Sequence, residues 1–141
     1  MANHPDLTDL PVPIKYKLSA LWVALMLCYI YCDYFTLFVP GHIEALIQGK
    51  SVGGPISPGK LVAFSVMMSI PALMVALTLV LPARLSRMFN IVFGIVYTLI
   101  MIAVASMSIS AWYVFYIYFA LIEIVITITI ALMAWRWPRT S

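Results

Sequence analysis

Four stretches of this 141-residue chain each run for more than twenty residues without a lysine, arginine or histidine. They are Leu18–Val39, Leu61–Leu81, Met88–Ser110 and Trp112–Trp135. About 20 helical residues cross a hydrocarbon core of about 30 Å. Lipid offers no partner to an open strand edge, so runs of this kind can span only as helices. A barrel would need many alternating strands, and the chain is too short and too uniformly apolar for one. Composition agrees: 65% of residues are hydrophobic and 9% charged, where a soluble domain carries about 25% charged.

The pattern therefore predicts an all-α membrane protein, an antiparallel bundle of four transmembrane helices. Residues 1–17 read as a polar, proline-punctuated arm, residues 40–60 as the one sizeable outer loop, and residues 136–141 as a tail. Within the loop, Ile43, Leu46 and Ile47 recur at one-turn spacing, which predicts a short interfacial helix. The first apolar run exceeds a signal-peptide core of about 7–15 residues and ends on no small-x-small site, so it reads as a retained span.

Charge sets the orientation. The net charge is +3 and the pI near 9.0, but the basic residues flank apolar runs, which points to topology and lipid headgroups and away from nucleic acid. Lys15, Lys17, Arg84, Arg87, Arg136 and Arg139 fall on one side, Lys50 and Lys60 on the other. By the positive-inside rule both termini are cytoplasmic. Arg84 and Arg87, in the turn PARLSR, are topology signals that also suit anionic headgroups. Trp22, Trp112, Tyr113, Trp135 and Trp137 read as interfacial anchors.

Between the second and third spans, small and polar residues suggest packing seams. Ser65, Ser69, Ala72 and Ala76 follow at i, i+4, i+7 and i+11, a spacing that lets helix backbones approach. Pro71 leaves the Met67 carbonyl without its usual donor, so a kink is expected. Asn90, Gly94, Tyr97, Met101, Ala105 and Ser108 make a second mixed stripe. A water-filled path along these seams is the alternative to packing.

Two carboxylates sit inside the spans. Asp33 shares a helical face with Tyr29 and Thr36, and Glu123 with Tyr116 and Thr127. At 1.5 Å per residue Asp33 lies roughly 9 Å from the outer end and Glu123 about 16 Å, near the midplane. Neither has a cationic partner in any span, and burial disfavours an unpaired charge. Intramembrane acids are candidates for proton or cation binding, with Tyr29, Thr36, Tyr116 and Thr127 as supporting hydrogen-bond groups. A neutral acid gluing two helices is the structural alternative. Cys28 and Cys32 form CxxxC rather than a dithiol redox motif, and across one helical turn they fit a disulfide poorly. His4 and His42 stand alone outside the spans. The residues assemble no metal set, and no cofactor is implied.

The order of Asp33, Pro40-Gly41, Ile70-Pro71-Ala72, PARLSR with Asn90, Glu123 and a closing Trp-Arg-Trp resembles an uncharacterised family of small bacterial four-helix membrane proteins. That resemblance implies the same architecture and a bacterial inner membrane. A small multidrug transporter would carry its essential Glu in the first helix, where this chain has Asp33.

The leading functional expectation is proton- or cation-linked movement of a small solute by a homo-oligomer, with Glu123 as the binding group and Asp33 as an outer acceptor. The alternative is a non-catalytic accessory or scaffold subunit of a larger membrane complex. An enzyme ranks third, since only the Cys pair and the two acids could carry one.

Overall fold

The computed structural model describes residues 10–51 and 54–138. Pro13, which has no N–H to leave unsatisfied, stands immediately before α1 (Ile14–Thr36). Gly41, at φ 79°, takes the left-handed conformation that starts α2 (His42–Ile47). Lys50–Ser51 (β1) and Gly54–Pro55 (β2) pair as a minimal antiparallel hairpin. Ser57 then caps α3 (Pro58–Val80), its hydroxyl accepting the Lys60 N–H at 3.2 Å. Pro82 leads into α4 (Ala83–Met107), and a single 3₁₀ turn at Ala111–Tyr113 feeds α5 (Val114–Trp135).

The four long helices are each long and apolar enough to cross a membrane, which gives an all-α four-helix integral membrane protein. Helix α1 packs between α3 and α5, and α4 packs along α5 and more sparingly on α3. Helix α1 starts one turn before the expected Leu18. That turn is useful because Lys15 folds back and its Nζ donates to the Leu79 and Leu81 carbonyls at the end of α3. A cation there complements the negative end of the helix dipole. Arg87 does the same for α5, with Nε donating to the Ala134 carbonyl at 3.2 Å and a terminal nitrogen to Trp135 at 3.3 Å.

Buried faces follow a 3-4 spacing. On α1 they are Leu18, Trp22, Leu25, Tyr29, Cys32 and Thr36; on α4 Ser86, Asn90, Gly94, Tyr97 and Met101; on α5 Ala120, Glu123, Thr127, Ile130 and Ala134. Steps of three and four residues keep each set on one face of its helix. The α4 stripe is the one expected from sequence as far as Met101. The α3 seam is not. Ser65, Ser69, Ala72 and Ala76 are all exposed, and α3 instead buries Pro71, Met74 and Thr78. The reason is local: Ser65 donates to the Leu61 carbonyl and Ser69 to that of Val66, each at 2.9 Å, so neither hydroxyl needs another helix.

Trp22 also departs from expectation. It is fully buried rather than interfacial, because α1's earlier start carries it more than two turns into the bundle. There its Nε1 donates to Asn90 Oδ1 at 2.8 Å, and its ring meets Tyr97 edge-on with centroids 6.2 Å apart. Asn90 completes the node by donating to the Ser86 carbonyl at 2.8 Å and the Thr78 hydroxyl at 3.1 Å. Ser86 in turn donates to the Thr78 carbonyl at 3.0 Å, and nearby Ser19 donates to Val75 at 2.8 Å. The Met67 carbonyl, freed by Pro71, accepts the Tyr97 hydroxyl.

Replacing Asn90 by Leu strands the buried Trp22 N–H and is expected to cost roughly 2 kcal/mol of unfolding free energy. Ser69→Ala, on the exposed face, is expected to cost less than about 0.5 kcal/mol. Reversible unfolding of both variants in mixed micelles distinguishes them.

Candidate functional site at the α1–α5 seam

Glycine makes the approach that places Glu123. A Cβ on Gly94 would lie 3.1 Å from the Thr127 carbonyl oxygen and 3.1 Å from Ala131 Cβ, so α4 touches α5 backbone to backbone at this level. One turn along α4, the Thr98 hydroxyl donates to Thr127 Oγ1 at 2.8 Å, and Thr127 donates to the Glu123 main-chain carbonyl at 2.9 Å. These contacts fix the rotation of α5 and turn Glu123 towards α1. Its side chain is 3% exposed.

The carboxyl itself is left over. Glu123 Oε1 is buried with no hydrogen-bond partner among the described residues, and so is the Tyr29 hydroxyl on α1. Glu123 lies within electrostatic reach of Tyr29, Cys32 and Asp33 on α1 and of Tyr116 on its own helix. The two orphaned groups thus lie in one stretch of the α1–α5 seam. Such groups are rare in bundle interiors, because an unmatched polar atom in hydrocarbon costs several kcal/mol by transfer estimates, roughly 2–7.

The expected supporting bonds take other directions. Thr36 donates to the Cys32 carbonyl at 2.9 Å, on its own helix. Thr127 serves the Glu123 backbone and not its carboxyl. Tyr116 is half-buried beside the site. Asp33 does not share Tyr29's buried face: that face runs through Cys32 and Thr36, and Asp33 turns outward on the flank. The reason is the helical period: Cys32, three residues after Tyr29, continues the buried face, and the next residue is rotated out by about 100°. Cys28 and Cys32 are both free thiols. Towards the end away from the basic residues, Phe35 of α1 lies against Phe115 and Phe119 of α5, with both centroid distances 6.3 Å, and closes the seam with aromatic surface. His4 and Arg139 lie outside the described residues, and Arg84 is exposed at the basic end.

The sequence pattern of one protein family matches residues 12–141. The chain belongs to DUF6326, a family of unknown function. No curated protein and no solved structure matches this family member. A buried carboxyl and a phenol, neither satisfied by the bundle, can exchange a proton or hold a small cation, and among the described residues no other buried side-chain atoms are left in that state.

The contrast between two tyrosines is testable. Tyr97→Phe abandons the Met67 carbonyl and is expected to lower unfolding free energy by about 1 kcal/mol. Tyr29→Phe removes a hydroxyl that bonds to nothing in the bundle, so stability in the same unfolding assay stays within about 0.5 kcal/mol or rises.

Proposed function

We propose that this integral membrane protein moves a small solute coupled to a proton or small cation, with Glu123 as the binding group. The observation that carries the reading is the pair of buried, unmatched groups, Glu123 Oε1 and the Tyr29 hydroxyl, in one seam near mid-span. Intramembrane acids that face a bundle interior mark ion and proton routes in general. A proton or cation entering from the outer end would meet Asp33 first, exposed on α1, and then Glu123. Within this reading the protein lies in a bacterial inner membrane with its basic end in the cytoplasm. The described cations support that orientation: Lys15, Lys17, Arg84, Arg87 and Arg136 stand at one end and Lys50 and Lys60 at the other.

A bundle of four helices has little room for a private route, so the working unit would be a homo-oligomer. The exposed Ser65, Ser69, Ala72 and Ala76 seam on α3 suits a contact between copies. That same seam favours the second reading, an accessory subunit seated against a helix of a larger membrane complex. Mild-detergent extraction followed by native mass measurement separates the two. A homo-oligomer supports transport, and a fixed ratio with a larger protein supports the accessory role.

In proteoliposomes carrying a pH gradient, Glu123→Gln is expected to abolish gradient-dependent flux, with helicity and oligomer size unchanged. Asp33→Asn is expected to slow flux several-fold without abolishing it. A Glu123→Gln protein that transports normally, or that does not assemble, would make the carboxyl structural.

A further inference from the structure

The basic end of the bundle divides its cations into two kinds. Lys15 and Arg87 are engaged, each on the last carbonyls of a helix. The side chains of Lys17 and Arg136 donate to no other described residue, yet both line one groove of about 550 Å³ between the start of α1 and the end of α5. The rest of its wall is mainly apolar, including Val12, Ile14, Leu132 and Met133. Among the described residues nothing negative opposes the two cations there. The described carboxylates Asp33, Glu44 and Glu123 lie mid-span or towards the opposite end. Three of the last four α5 carbonyls, which would repel an anion, are covered: Ala134 and Trp135 by Arg87, Leu132 by the Arg136 N–H.

We infer that this groove is a binding site for an anionic phospholipid, whose phosphate sits between Lys17 and Arg136 and whose acyl chain runs along Ile14, Leu132 and Met133. Charge complementarity selects the anion, and the apolar wall selects a ligand with a chain. The position selects a lipid, since the groove lies where two membrane-spanning helices end. Its volume falls in the range of about 300–1,000 Å³ typical of small-ligand sites. The assignment is independent of Glu123, which lies deep in the bundle on another face of α5.

The test uses full-length protein extracted in a neutral detergent and offered phosphatidylglycerol or phosphatidylcholine, with bound lipid counted by native mass measurement. Phosphatidylglycerol is expected to be retained in preference. Neutralising both cations in Lys17→Gln/Arg136→Gln is expected to lower that retention about 25-fold, at a contribution near 1 kcal/mol per basic residue. Each single groove variant is expected to lower it about fivefold, and Arg84→Gln, which removes the same single charge from the same end but outside the groove, is expected to stay within about twofold. If Arg84→Gln matches Lys17→Gln or Arg136→Gln alone, the attraction is diffuse and the site is refuted. Displacement of the lipid by soluble glycerol phosphate would also overturn it, because the groove would then read a free phosphate. Should the double variant not fold, wild-type protein and a phosphatidylglycerol with a photoreactive acyl chain decide the matter. Cross-links in residues 11–17 or 129–138 uphold the site, and cross-links confined to other segments overturn it.

Discussion

Asn90 holds three helices with one amide. Its oxygen takes the indole of α1, and its nitrogen serves the Thr78 hydroxyl of α3 and the Ser86 carbonyl of α4. In water such a node would be one contribution among many. In lipid, where apolar surface gains little by leaving hydrocarbon for another helix, directed polar contacts and close packing decide which faces meet. The node fixes α1, α3 and α4 at the basic end. One turn on, Gly94 brings α4 onto α5, and Thr98 and Thr127 lock the rotation. The position of Glu123 against α1 is the last link of that chain.

The sequence made the spanning helices legible because apolar runs of that length, free of basic residues, suit a hydrocarbon core. It was less informative about faces. A soluble helix advertises its buried side with apolar residues, but here lipid-facing positions such as Leu73, Val92 and Val125 are as apolar as buried Leu25 or Ile130. The usable signal is inverted, so small and polar residues point inward. That signal located the α4 stripe and the inward Glu123. It failed on α3, whose serines satisfy themselves on their own backbone. It failed also at Trp22, where the rule that tryptophan marks the interface met an acceptor, Asn90, that a linear reading could not bring alongside. Tyr97 at the Met67 carbonyl was half visible: Pro71 announced the orphaned oxygen, but not the helix that would reach it.

The basic residues serve two ends at once. Counted as charges, they mark one end of the bundle. Taken one by one, Lys15 and Arg87 also stitch the ends of α3 and α5 to neighbouring helices.

Helix α3 is held unevenly. Its buried residues, Pro71, Met74 and Thr78, all fall in its second half, while residues 61–66 are exposed throughout. The Tyr97 hydroxyl grips it at Met67, where the two halves divide. The first half of α3 is therefore constrained by the bilayer and scarcely by the fold. Any residue with enough affinity for hydrocarbon will serve there within a single chain. Among members of the family, drift should then collect along that half-helix, and a stretch of it found frozen would betray a neighbour pressing against it.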